Sequence, residues 1–397
     1  MAGPGSQWIG EEEIRELIDV MASGYLFRYG SLDDPKFKRK VYAFEKAFAA
    51  HCGVRHAVAM SSGSGALICS LKAIGIEAGD EVIVPAYTFI ASFSSVIHAG
   101  GIPVLAEIDE SLNIDPGDIE RRITGKTKAI MPIHMLGNPC DMDAVMSIAR
   151  KHGLEVIEDA CQANGGSYGG KMLGSIGRIG AFSLNIFKTV TAGDGGVVVT
   201  DDADLYKLAF GYHDQGHSPL RAGVEVGRRS VLGMNFRMNE LTGAVALAQL
   251  RKMDGIIAAL REKKGKFKAL ISGIPGTRFR TLNDPGGECA TLCTVIFDSA
   301  GRAARAARKL GTKTVDESGW HVYANMEHLT RYLREKGLPH GRGAYPKTDD
   351  ILSRSINLSV GVVDAGLGAA FGINIDSTDE EIERAAQAFR EACRAST

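Results

Sequence analysis

An excess of charge of either sign is missing from this sequence: Lys and Arg total 46 against 47 Asp and Glu, a formal charge of −1. So balanced a chain offers no general attraction for nucleic acid or for an anionic membrane surface. Long apolar runs are missing too, and none approaches the roughly 18 residues that cross a bilayer. The opening stretch, Met1 to Glu13, has neither a basic cluster nor an apolar run, so it does not read as a secretion signal. The seven cysteines (52, 69, 140, 161, 289, 293 and 393) are scattered, odd in number and without a Cys-x-x-Cys pair. That argues against a disulfide framework or a zinc site and for reduced core thiols. No internal repeat or low-complexity tract is found. A cytoplasmic protein without a bound metal is expected.

What is there suits a globular enzyme. With 397 residues, 45% of them apolar, the chain can fill two or three domain-sized units with core. From residue 56, short apolar runs at 56–60, 81–86, 103–109, 128–134 and 155–159 alternate with helical stretches near 65–75, 88–99, 116–123 and 141–152. That rhythm predicts an α/β fold whose mostly parallel sheet is covered on both faces. Strands at 180–185 and 195–201 then follow one another with only a loop between them. Residues 238–268 read as one long helix, broken near Gly255, that leaves the large domain. A smaller α/β unit follows, with strands at 291–297 and 355–359. Its last helix opens on a capping box, Ser377-Thr-Asp-Glu380, and keeps an apolar stripe of Ile382, Ala386, Phe389 and Cys393. The expected division is an N-terminal arm or loop (1–30), a large domain (31–250) and a small C-terminal domain (251–397). Loops at 213–232 and 336–349 are the expected substrate-facing segments.

Three features carry chemistry. The run Met60-Ser-Ser62-Gly63-Ser64-Gly65-Ala66-Leu67 takes a strand through a Gly/Ser turn straight into a helix. It is either a tight turn or a phosphate cradle of free N–H groups and hydroxyls. It is a poor dinucleotide fingerprint, because Ile68 stands where the third glycine belongs. Asp159 ends the strand Glu155-Val-Ile-Glu-Asp159, and either caps the next helix or faces a ring nitrogen that it keeps protonated. Lys188 lies between an apolar strand and Gly193-Asp-Gly-Gly196. It is either a solvated loop lysine or a buried amine able to form an imine. A lysine imine together with a carboxylate on the pyridinium is what pyridoxal phosphate requires of a protein.

Five ordered blocks extend this pattern: Ser62-Gly-Ser64, Pro85-Ala-Tyr-Thr-Phe89, Glu158-Asp-Ala-Cys-Gln162, Phe182-Ser183…Lys188…Gly193-Asp-Gly-Gly196 and Gly233-Met-Asn235-Phe-Arg237-Met-Asn-Glu240. Together they resemble the DegT/DnrJ/StrS sugar aminotransferases, over nearly the whole chain. The resemblance implies the type I (aspartate aminotransferase-like) fold and pyridoxal 5′-phosphate (PLP). It implies Lys188 as covalent partner and proton shuttle, Asp159 on the pyridinium, Gln162 at the phenolate oxygen and Phe89 stacked on the ring. Ser62, Gly63, Ser64 and Ser183 would surround the phosphate. Asn235 would reach the phosphate of a neighbouring subunit, making a homodimer with shared sites. A branch with histidine in place of the lysine performs dehydration, and Lys188 argues against it. Cys161 and Asp194 depart from the usual alanine and glutamate without touching the mechanism.

Leu26-Phe-Arg28-Tyr29-Gly30, Gly211-Tyr-His213-Asp-Gln-Gly-His217 and Gly227-Arg-Arg229-Ser are similar to the branch that aminates eight-carbon sugars. Arg28, Tyr29, His213, His217 and Arg229 become candidate substrate contacts on that basis, or else loop caps and surface charge. His321 and Tyr323, in Trp320-His-Val-Tyr-Ala-Asn325, resemble a small-domain element near the family's substrate site. The expected reaction moves an amino group from glutamate or glutamine to a keto-sugar, first an eight-carbon ulosonate or octose derivative. A cyclitol (inosose) aminotransferase, a 3-amino-5-hydroxybenzoate synthase-like enzyme and a catalytically silent binding subunit are the alternatives.

Overall fold

The computed structural model of the chain describes residues 3–31, 33–219 and 229–394. The expected alternation becomes a seven-stranded sheet. Its first five strands are β1 (His56–Met60), β2 (Glu81–Pro85), β3 (Ile102–Ala106), β4 (Thr127–Ile130) and β5 (Glu155–Asp159). A small hairpin, β6 (Ser167–Tyr168) and β7 (Lys171–Met172), intervenes before β8 (Ile179–Ser183) and β9 (Gly196–Thr200) complete the sheet. The order is β1-β9-β8-β5-β4-β2-β3. Only β9 runs against its neighbours, pairing antiparallel with both β1 and β8. All five residues of β8 and of β9 are buried, as strands covered on both faces must be.

Two strands end sooner than the apolar runs suggested, for local reasons. β3 stops at Ala106 because the next amide, Glu107 N–H, donates to the Asp118 carboxylate (2.7 Å) instead of to a neighbouring strand. β4 stops at Ile130 because Pro132 has no N–H to give. The chain then turns through Met135–Gly137, where Leu136 adopts a left-handed conformation (φ 56°).

Residues 1–30 are more than an arm, since Glu11–Ser23 form a helix. Its apolar stripe is hard to see because its anchors are polar. Glu13 accepts from Gln249 and Lys252, while Glu16 and Asp19 hold Lys40. The long helix Glu240–Ile271 shows no break at Gly255. The Trp8 ring packs over this position, 3.5 Å from where a Cβ would stand, and the modest helix penalty of one glycine does not interrupt the helix. The 250/251 position falls inside this helix. Beyond it, β10 (Thr277–Phe279), β11 (Leu292–Phe297) and β12 (Ser355–Ser359) form an antiparallel sheet. The last helix, Asp379–Arg394, buries Ile382, Ala386, Phe389 and Cys393 as expected. Its capping box starts one residue later than the sequence suggested. Thr378 and Glu381 exchange side-chain and backbone hydrogen bonds (2.8 and 3.2 Å), whereas the Ser377 hydroxyl accepts from Asn374 N–H. All seven cysteines are free thiols. Among the described residues, no helix is long and apolar enough to cross a membrane.

Thr378→Ala should therefore lower stability by about 1 kcal/mol in denaturant unfolding, the usual cost of a lost N-cap.

Candidate active site

In an open α/β sheet, ligands sit beyond the carboxyl ends of the strands. Here the ends of β1, β2, β5 and β8 surround a cavity of about 480 Å³ that includes Ser62, Gly63, Ser64, Phe89, Asp159, Gln162, Ser183, Lys188 and His321 in its lining. Nine of the sequence-predicted residues thus meet in one place.

Asp159 is buried at the end of β5, and both of its oxygens are engaged. Oδ2 accepts from Ser92 Oγ at 2.8 Å and Oδ1 from the Cys161 N–H at 3.1 Å. Thr88 Oγ1 lies 2.8 Å from Ser92 Oγ and extends the chain of hydroxyls. The carboxylate is thereby aimed from beneath. Lys188 enters from the loop after β8. Its N–H donates to Asn185 O (2.9 Å), and its carbonyl accepts from Gly5 N–H (3.4 Å). Desolvation pulls its pKa down, opposed by Cys161, Asp159 and Asp364, so the neutral amine becomes more available. The side chain is half-buried and lines the cavity.

The helix Gly63–Ala73 points its N-terminus at this cavity. Ser62 Oγ caps Gly65 N–H at 3.0 Å, which leaves the first-turn amides of Gly63 and Ser64 without helical acceptors. Glycine is required at 63, because a Cβ would stand 2.8 Å from Ser183 Cβ and 3.2 Å from Cys161 Sγ. Gln162 uses its Oε1 to accept from Leu136 N–H (3.0 Å), which turns its NH₂ donors to other partners. Phe89 remains 40% exposed, an unusual state for a Phe beside a core, with its ring 5.4 Å from that of His321. Desolvation, helped by the charge of Lys188, lowers the His321 pKa to about 3, and its Nδ1 lies 3.1 Å from Ser318 Oγ.

The other candidates lie elsewhere. Arg28 is fully buried and bonded to Glu45 (2.9 and 3.1 Å), to Ala59 O (3.3 Å) and to His213 Nε2 (3.0 Å). His213 is itself fixed by Nδ1 on Phe210 O (2.6 Å), and burial with the Arg28 charge holds its pKa near 3. Tyr29 donates to Asp214 (2.5 Å), and His217 is buried in the same segment, with its N–H on Asp214 O. Tyr323 packs edge-on against Tyr345 at 4.9 Å and donates to Asp349 (3.2 Å). Asn235 and Arg229 are exposed, and neither lines the cavity. Gly227 and Arg228 lie outside the described residues. Conversely, Thr88, Ser92, Leu136, Thr291 and Asp364 line the cavity without having been singled out. The chemical type of each is commonplace, and only the fold brings them together.

This arrangement fits PLP: a cradle of amides and hydroxyls, a covalently competent amine, a fixed carboxylate and an exposed aromatic face share one cavity. The class defined is thus a PLP-dependent enzyme of the type I fold. A model of the DegT/DnrJ/EryC1/StrS aminotransferase family matches residues 7–363. GDP-perosamine synthase of Caulobacter vibrioides is 43% identical over 59% of this chain and 62% of its own length. Spore coat polysaccharide biosynthesis protein SpsC of Bacillus subtilis is 34% identical over 88% of this chain and 90% of its own. The crystal structure of 3-amino-5-hydroxybenzoic acid synthase superposes with a TM-score of 0.82, covering 98% of this chain and 97% of that one at 27% identity. The chain belongs to the DegT/DnrJ/EryC1/StrS family of sugar aminotransferases and is a PLP-dependent aminotransferase.

Two measurements check this geometry. Arg28→Met should leave Glu45 as an uncompensated buried charge and cost about 3 kcal/mol of stability, while the KM for the keto acceptor changes little. A substrate contact would show the reverse. His321 is neutral in the fold down to about pH 3 but takes a proton near 6.5 when unfolded. The unfolded chain binds more protons in that window, so stability falls as the pH drops from 6.5 towards 3. His321→Asn should flatten that part of the stability–pH profile.

Proposed function

We propose that this aminotransferase moves an amino group from glutamate or glutamine to a keto-sugar, and that the acceptor is a nucleotide-linked sugar. The observation that carries the reaction is the joint presence of Lys188 and Asp159 in one cavity. When bound, PLP supplies an electron sink for the substrate carbon. The chain's own residues do the rest. Asp159, fixed by Ser92 and the Cys161 amide, holds the proton on the ring nitrogen. Lys188, made less basic by burial, is the covalent partner and then carries the proton to and from the substrate carbon. Gln162 offers its NH₂ to the ring oxygen, Phe89 covers a ring face, and Gly63, Ser64 and Ser183 hold the phosphate. In this reading residues 31–250 bind the cofactor, 251–397 close over it, and 1–30 brace the two.

A second copy of the chain completes the site. Among the described lining residues Lys188 is the only Lys or Arg, so a phosphate dianion finds no cationic side chain of its own subunit there. Ile14, Ile18 and Met21 expose 55–61% of their surface along one helical stripe, and Phe27 and Met234 expose 47% and 66%. Exposed apolar side chains of this kind suit a homodimer, and in this reading the exposed Asn235, next to Met234, reaches the partner's phosphate site.

The nucleotide-linked acceptor rests on the 43% identity to GDP-perosamine synthase. The eight-carbon acceptor expected from the sequence loses support, because Arg28 and His213 are consumed by internal bonds.

Purified protein given PLP should turn yellow, and borohydride should fix the cofactor to Lys188. Lys188→Ala should lose at least about 10³-fold in kcat, on the scale of removing a nucleophile that is also the acid/base. Mixing Lys188→Ala with Asn235→Ala protomers should restore part of the activity through hybrid dimers, and no rescue would reject the shared site. A glutamate-driven assay over the keto precursor of GDP-perosamine, an eight-carbon ulosonate ketone and an inosose decides the acceptor. Turnover of the inosose alone would overturn the sugar assignment.

A further inference from the structure

Arg280 follows β10 directly and is 3% exposed. A buried guanidinium ordinarily faces a carboxylate. This one faces two neutral carbonyls: Nη1 donates to Met135 O (3.0 Å) and Nη2 to Leu136 O (2.9 Å). The acid in its neighbourhood, Glu288, is bonded to Lys264, and Arg280 Nε has no partner among the described residues. The turn it grips is strained, since Leu136 holds φ 56° and ψ 34° without being glycine. The small-sheet side clamps the same turn twice more, through Cys289 N–H on Gly137 O (2.8 Å) and Thr291 Oγ1 on Leu136 O (3.4 Å). A buried cation with no carboxylate bonded to it, its neighbouring acid being engaged by Lys264, and a strained residue both cost stability, and they meet at one peptide. That peptide's N–H is the donor that fixes Gln162 Oε1 at 3.0 Å.

We infer that Arg280 is a positioning residue for the reaction: by holding the Met135–Gly137 turn it sets the orientation of the Gln162 amide, and so the donor offered to the cofactor's ring oxygen. The inference rests on the placement of that oxygen at Gln162 proposed above. It makes the small-sheet side a determinant of cofactor electronics through Arg280, which does not itself line the cavity. A donor aimed at the ring oxygen draws electron density from it and eases loss of the proton from the neighbouring Lys188 nitrogen, so misplacing the donor raises the pH at which that proton leaves.

The test uses the cofactor-loaded dimer and reads the pH midpoint of its visible absorption band. Arg280→Gln retains one donor for the carbonyls and removes a buried charge that no carboxylate bonds directly, so it is expected to fold. Arg280→Lys, which keeps charge and a donor, is the second variant. Both should raise the midpoint by about half a unit or more, Lys less than Gln. Gln162→Leu should raise it as well, and Arg280→Gln added to Gln162→Leu should raise it no further. A similar shift from Arg280→Gln in both backgrounds, or no shift in either, would overturn the inference, whatever happens to thermal stability. A wild-type protein that shows no visible band with PLP would instead overturn the cofactor reading, and this inference with it.

Discussion

Two adjacent carboxylates at the end of β5 set the geometry on which everything else depends. Because side chains alternate along a strand, Glu158 and Asp159 leave the sheet on opposite sides. Glu158, with no exposed surface, accepts from the amides of Gly174, Ile176 and Gly177 at 2.8, 2.6 and 2.5 Å, and lies 3.0 Å from His134 Nε2. The loop before β8 is thereby tied to β5. His134 N–H in turn donates to Asp159 O (3.1 Å), so the turn that leads to Leu136 hangs from the same residue pair. The acid facing the cavity can keep one orientation because the acid behind it is fully bonded.

A second buried charge cluster has a different purpose. Arg28, Glu45 and His213 join the N-terminal segment, the helix Lys40–Cys52 and the end of the helix Ala203–His213. Asp214, the next residue, receives Tyr29 and Arg237, the latter at 2.5 Å, and forms a bridge with Asn235. Polar groups this deep are costly unless fully satisfied, and they specify one arrangement of the segments they link. Here the segment so specified is the one that carries Asn235 on its exposed side.

Most of the large sheet was legible in the sequence because its strands are short apolar runs punctuated by turns, and the meeting of Asp159 and Lys188 in one cavity was expected because PLP chemistry demands those types. Other features were not. Strand ends depended on side chains such as Asp118 that intercept a backbone amide from outside the sheet. The helix Glu11–Ser23 hid because its docking is ionic and its apolar stripe faces outward. Arg28 and His213 misled for a related reason. A charged residue in a loop-like stretch looks available for a ligand, and nothing in its own neighbourhood reveals a partner such as Glu45 from another segment. Ser92, which positions Asp159, is one serine among many until the helix Ile90–His98 sets it beneath the carboxylate.

The turn Pro4–Gln7 lies against the back of the loop bearing Lys188. Pro4 and Gly5 are buried, and at Gly3 there is no room for a side chain, since a Cβ would fall 2.5 Å from the Phe187 carbonyl carbon. Phe187 belongs to the cavity wall. The cavity wall at Phe187 is therefore braced from behind by a residue that must stay bare, and any side chain introduced at position 3 would push on the loop that carries Lys188.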